Sequence, residues 1–182
     1  SFNELRSWFA GVPASLANSA GCLLGKDYHF QMTRPGIALY GVHPLETRPH
    51  DLQPVFDWQA RILQIRQAAA GDRVGYGGTF ELQRRSRIAT IGVGYADGYR
   101  RQLGGKATVS IGGKTAPVIG RISMDSITVD VTDLDQNSLR AEHASLIPAA
   151  YPLGAMAVDL GTISYEIMTT LGQRADWRYH GG

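Results

Sequence analysis

The sequence predicts an α/β segment over residues 1–44 followed by a mostly antiparallel β domain over residues 45–182. Three observations predict it. Near the start, apolar residues recur at helical spacing and alternate with short extended text. From residue 56 onward come runs rich in Val, Ile, Thr and Ala, partly alternating, with Gly-Asp, Gly-Gly and Asp-Gly pairs between them. Between the two textures, PLETRPHDLQP (44–54) holds three prolines, which interrupt regular structure and mark a boundary.

Taken in order, NELRSWFA (3–10) reads as a helix with Leu5, Trp8 and Phe9 on one face. VPASLANSAG (12–21) is a short extended piece that meets Asn18 and Ser19, a polar pair that ends a strand or caps a helix. In TRPGIALYGVHP (33–44), Pro35 and Gly36 indicate a turn into a short helix. Strands are expected over 56–69, 87–95, 107–111, 115–121 and 126–131, and SIGGKTAP (110–117) reads as a hairpin around Gly112-Gly113. Residues 154–171 return to helix, with Leu160, Ile163, Ile167, Met168 and Leu171 about a turn apart, and the tail 174–182 is expected to add an edge strand. The opening α/β segment is too short to stand alone. It is expected to be the end of a larger domain or to be completed by another chain, and SFNELRSWFAG reads as the middle of something longer, a fragment or a processed chain.

Composition narrows the function classes. With 182 residues and 43% hydrophobic content, the chain can build a core for one domain and a piece of another. A net charge of +2 without a basic run gives no footprint for nucleic acid. Cys22 is the single cysteine, which excludes internal disulfides and zinc knuckles. No apolar run approaches membrane-spanning length and no signal peptide opens the chain, so a cytoplasmic, reducing setting is expected. No metal site is expected.

The chemistry sits in glycine-rich text. VGYGGTF (74–80) sets Tyr76 between glycines, and GVGYADGYRR (92–101) does the same for Tyr95. Glycine leaves a neighbouring phenol uncovered and lets backbone or ligand approach. Either these are turns that happen to contain tyrosine, or the phenols are held out for chemistry. With ANSAG (17–21), RPGIALYG (34–41), GRISMD (120–125) and GTISYE (161–166), these stretches occur in an order and at spacings that resemble the C-terminal half of the alanine racemase family, enzymes dependent on pyridoxal 5′-phosphate. The resemblance runs along almost the whole chain. It implies that residues 1–44 are the last part of a TIM-like β/α barrel that binds the cofactor, ahead of the β domain.

The resemblance also implies roles. Ser19 and the backbone of Gly36 and Ile37 would bind the cofactor phosphate, joined by Tyr165 of GTISYE. Arg34 would donate to the cofactor ring nitrogen. Arginine offers only donors, so that nitrogen must be the unprotonated acceptor, and the ring a weaker electron sink that favours reprotonation at Cα. Tyr76 would be one of two opposed acid–base groups, the other being the cofactor-attachment lysine. The backbone N–H of Met124 would reach the substrate carboxylate. Tyr95 and Tyr165, with Arg101, Arg121 and Ile163, would line an access corridor that filters substrates by size. Asp125 would order its loop or touch a partner subunit, and Ser123 stands where relatives often carry cysteine.

The attachment lysine has no counterpart here: none of Lys26, Lys106 and Lys114 lies in the matching motif. The resemblance therefore implies that these residues act with an N-terminal half of the same enzyme, and that alone they are inactive. It further implies a head-to-tail homodimer, with Tyr76 and Met124 serving the partner's cofactor. The expected function is interconversion of L- and D-alanine for peptidoglycan. The alternatives are a racemase of broader substrate range, acting on serine or a basic amino acid, and a non-catalytic β module for association.

Overall fold

Ser1 and Glu4 cap each other reciprocally at the start of helix α1 (Phe2–Ser7), in a computed structural model that describes residues 1–45 and 51–181. The chain divides into two units, Ser1–Phe56 and Asp57–Gly182. The proline-rich stretch 44–54 lies partly outside the described residues, at positions 46–50.

In the first unit, strands β1 (Ser15–Asn18) and β2 (Met32–Arg34) pair in parallel, with Asn18 opposite Arg34. Parallel pairing needs a crossover, and helix α2 (Ser19–Leu24) lies within it. Asn18 does both things its sequence allowed. It ends β1, and its side chain accepts from Gly21 N–H at 3.0 Å to cap α2. A 3-10 turn, Ile37–Tyr40, follows β2. Helix α1 ends at Ser7, short of the expected 3–10, so of the face read from sequence only Leu5 lies in it while Trp8 and Phe9 follow in a turn; all three are exposed.

The second unit is an antiparallel β domain. Strands β3 (Gln59–Ala68), β6 (Ser86–Ile91), β7 (Thr108–Ile111), β8 (Lys114–Ile119), β9 (Ile127–Asp130) and β10 (His143–Ser145) close into a barrel in the order β10-β3-β6-β9-β8-β7. Closure removes the exposed edges of an open sheet. The period-2 pattern fills the interior. Ala89 faces Val129, Val129 faces Val118 and Ile91 faces Ile127 across the strands, and all five are buried. Gly112 and Gly113, both at positive φ, make the expected two-residue hairpin between β7 and β8.

A short hairpin, β4 (Arg73–Val74) with β5 (Phe80–Glu81), stands outside the barrel. It rests on a second cluster of buried side chains, Ala68, Val74, Leu82, Ile88 and Ile119, with Phe80 packed against it. Ile88 and Ile119 point out of the barrel into this cluster, while Ala89 and Val118 beside them point inward.

Three expectations are corrected. The single helix over 154–171 is two, α3 (Leu153–Leu160) and α4 (Ser164–Thr170), because Gly161 takes a left-handed conformation (φ 66°) that ends α3. The tail forms no strand over 174–181; position 182 lies outside the described residues. Residues 92–95 leave the strand after Ile91 and turn into a 3-10 segment, Tyr95–Asp97. β10, which closes the barrel, was not expected at all.

Candidate active site

In the first unit, parallel pairing brings the C-terminal ends of β1 and β2 to the same side, the side where α/β folds bind ligands. Ser19 follows β1 and Gly36 follows β2. Ser19 is buried (2% exposed), and its Oγ accepts from Gly36 N–H at 2.8 Å and Ala38 N–H at 3.3 Å. The hydroxyl keeps its own proton to donate. A side chain at Gly36 would meet nothing within 4 Å, so this chain's own packing does not require glycine there. Small polar donors beside open space fit an oxyanion such as a phosphate. Ile37 is buried next to them. Arg34, at the exposed end of β2, donates through Nη1 to Ser15 Oγ on the neighbouring strand. Its guanidinium keeps further N–H groups for a ring acceptor.

In the second unit, Tyr76, Tyr95 and Arg101 sit on loops that meet one strip of chain, Gly120–Asp125, which itself carries Arg121 and Met124. Tyr76 is 70% exposed, in the 3-10 turn Tyr76–Gly78 between β4 and β5. The glycines around it do not merely clear space. Gly75 and Gly77 are at positive φ, and a Cβ on Gly75 would lie 2.6 Å from Arg121 N. On Gly77 it would lie 3.0 Å from Arg121 Nη1. The turn is seated backbone-to-backbone on the strip, and Arg121 Nη1 donates to Tyr76 O at 3.4 Å.

The Tyr95 turn meets the same strip further along. Tyr95 N–H donates to Ser123 O and Ala96 N–H to Met124 O, each at 3.0 Å. A Cβ on Gly94 would lie 2.3 Å from Met124 O, so only glycine allows this approach. Asp97 shapes the turn by accepting from Gly94 N–H at 2.8 Å. The Met124 side chain is exposed, and its carbonyl is already taken by Ala96. Arg101, exposed, opens the 3-10 segment Arg101–Leu103; just after it, a Cβ on Gly104 would lie 2.6 Å from Gly120 O.

Gly161, which separates α3 from α4, leaves Ile163 extended and exposed and puts Tyr165, partly exposed, in the first turn of α4. The other end of α4 reaches the Tyr95 loop: a Cβ on Gly98 would lie 2.6 Å from Thr170 O. The structure thus brings the segments of Tyr76, Tyr95, Arg101, Arg121 and Met124 together in this unit. Ser19, Arg34, Gly36 and Ile37 form a separate group in the other.

Sequence reasoning missed three side chains here. Tyr99 lies fully buried below the Tyr95 turn, its ring 5.8 Å from that of Trp58, and its hydroxyl has no hydrogen-bond partner among the described residues. Burial pushes its phenol well above the ordinary range. Tyr151 is raised by burial and by donating to Asp159 Oδ2 at 2.5 Å. Arg174 spans two carboxylates, Asp125 Oδ1 at 2.9 Å and Asp97 Oδ1 at 3.4 Å. A GYADGYRR stretch with two tyrosines carried the only available signal for Tyr99. No helix among the described residues is long and apolar enough to cross a membrane. Among the same residues, no cluster of three or more His, Cys, Asp or Glu side chains could hold a metal ion.

Residues 55–179 match the family described as alanine racemase, C-terminal domain, and residues 1–44 match alanine racemase, N-terminal domain. A biosynthetic alanine racemase of Agrobacterium fabrum is 42% identical over 98% of this chain and 49% of its own length. An alanine racemase of Brucella ovis is 45% identical over 90% of this chain and 45% of its own. The crystal structure of alanine racemase from Bartonella henselae with covalently bound pyridoxal phosphate superimposes with a TM-score of 0.83 at 44% identity, over 95% of this chain and 48% of that one. The chain spans about half the length of the curated relatives it matches.

Proposed function

Since this chain belongs to the alanine racemase family, we propose that it is the part of a pyridoxal-phosphate-dependent alanine racemase that lacks the attachment lysine, interconverting L- and D-alanine as D-alanine supply for peptidoglycan. The observation that carries the reading is the convergence of the Tyr76, Tyr95 and Met124 loops on Gly120–Asp125 in a chain of this family. The first unit is read as the last strands of a TIM-like β/α barrel up to about residue 44, with the parallel β1–β2 pair in support.

When bound, the cofactor supplies an electron-withdrawing ring that makes the substrate Cα–H acidic. Around it, the Ser19 hydroxyl and the Ile37 N–H would hold the phosphate, joined by the Tyr165 hydroxyl and by the Gly36 N–H once it turns from Ser19 Oγ, which it meets at 2.8 Å here. Arg34 donates to the ring nitrogen. Tyr76 Oη gives or takes the proton on one face of Cα, opposite a lysine from the segment outside this chain, so the two groups exchange roles with the direction of reaction. Met124 N–H orients the substrate carboxylate. Tyr95 and Tyr165, with Arg101, Arg121 and Ile163, narrow the approach to small amino acids. The working form is a cytoplasmic homodimer in which Tyr76 acts at the partner's cofactor.

The test is conversion of L-alanine to D-alanine by the complete gene product, against the same protein carrying Tyr76→Phe. Because Tyr76 is 70% exposed, the variant should fold as the parent does. Its kcat should fall roughly a hundred- to ten-thousand-fold, the span ordinarily lost with a positioned acid–base group. Full activity in the variant, or none with L-alanine in the parent, would sink the reading.

A further inference from the structure

Apart from close packing at Gly94, the Tyr95 turn and the Met124 loop are fastened by two main-chain hydrogen bonds, Tyr95 N–H to Ser123 O and Ala96 N–H to Met124 O. Each loop also carries a carboxylate, Asp97 on one and Asp125 on the other. Arg174 is the cation between them: the same Nη1 lies 2.9 Å from Asp125 Oδ1 and 3.4 Å from Asp97 Oδ1. Asp97 is committed through its other oxygen to Gly94 N–H at 2.8 Å, so the cation acts on the carboxylate that shapes the Tyr95 turn. The segment bearing Arg174 is closed on itself. Trp177 folds back onto Gly172, so closely that a Cβ there would lie 2.4 Å from the indole.

An isolated exposed ion pair contributes little. This arrangement differs because losing the cation leaves two like charges at a junction held by two hydrogen bonds. We propose that Arg174 is a positioning residue that clamps the Tyr95 turn to the Met124 loop through Asp97 and Asp125, and so sets the register of the Met124 N–H that receives the amino-acid carboxylate. The substrate half of this statement rests on the racemase reading; the clamp does not. Arg174 touches no reacting atom, so its signature is in KM rather than in kcat.

The experiment compares the complete gene product with Arg174→Gln and Arg174→Lys. Hydrogen exchange of the Tyr95 and Ala96 amides, measured without cofactor or substrate, should quicken roughly two- to fivefold in the glutamine variant, the factor an ion-pair contribution of that size implies. It should return toward the parent value in the lysine variant. In parallel, KM for L-alanine should rise by a similar factor in Arg174→Gln with kcat held. Unchanged exchange overturns the clamp, as does exchange that quickens evenly over the whole β domain. Quicker exchange with unchanged KM overturns the substrate half. A parent protein that turns over no alanine removes the racemase reading, while the amides still decide the clamp.

Discussion

Glycines at two positions separate fold from function at the residue scale. At Gly94 a Cβ would lie 2.3 Å from Met124 O, a contact that only a backbone shift can relieve. Gly94→Ala should therefore cost about 1–3 kcal/mol by overpacking and lower the denaturation midpoint. At Gly36 a Cβ meets nothing within 4 Å. Gly36→Ala should leave the midpoint nearly unchanged and weaken cofactor retention, seen by titrating pyridoxal phosphate into the complete enzyme. A large loss of stability at Gly36, or none at Gly94, would contradict this division. The buried phenols give a second residue-scale expectation. Tyr99 is raised by burial; Tyr151 is raised by burial first and by Asp159 second. In the unfolded chain both ionise at about 10. Their contribution is thus fully present below that pH and declines above it, where the unfolded chain loses protons that the folded chain keeps. Urea midpoints followed from about pH 8 to 11 should fall steeply at the alkaline end. Tyr99→Phe should flatten the fall without lowering stability at neutral pH, since no hydrogen bond is lost with its hydroxyl.

At the scale of elements, the β4–β5 hairpin connects a core to a candidate reacting group. Val74 and Phe80, which flank the Tyr76 turn, are held by the cluster of Ala68, Leu82, Ile88 and Ile119. Leu82 is 2% exposed and sits just beyond β5, so Leu82→Ala should cost about 2–5 kcal/mol. Beyond that global cost, the cavity should loosen the Tyr76 turn, lowering kcat at temperatures where barrel circular dichroism is intact. An unaffected kcat under those conditions would show that the turn is held from the Gly120–Arg121 side alone. The elements also show where sequence reading succeeds. Paired glycines and β-branched alternation placed β7, β8 and their hairpin, because turn chemistry and side-chain period act locally. Gly161 lay inside the single helix expected over 154–171. Its left-handed turn (φ 66°) has nothing within 4 Å of a Cβ built there, and a lone glycine in the text does not tell such a cap from a helical residue. His143–Ser145 carried no strand signal, since three residues become a strand only when β3 and β7 offer free edges on either side.

At the scale of the whole molecule, the proposed division of labour between subunits has a genetic consequence. If Tyr76 serves the partner's site and Arg34 its own, Tyr76→Phe and Arg34→Ala chains should complement each other. Each mixed dimer should regain one of its two sites, because one site then carries both intact residues and the other neither. Activity no higher than that of either variant alone would reject that assignment. Motif text such as VGYGGTF and GRISMD made the candidate residues legible one by one. What it could not show is that their loops share a single seat, because such meetings depend on backbone atoms far apart in sequence. Arg174 was illegible for the same reason: nothing in LGQRADW announces two acidic neighbours.

The fastening of these loops is made largely by main-chain atoms, carbonyls and amides of residues 94–96 and 120–124. Peptide groups are common to every amino acid, so the scaffold is indifferent to much of what projects from it. Lineages, or a laboratory library, can therefore reshape what these loops present by exchanging outward-facing side chains, leaving the glycine footings in place.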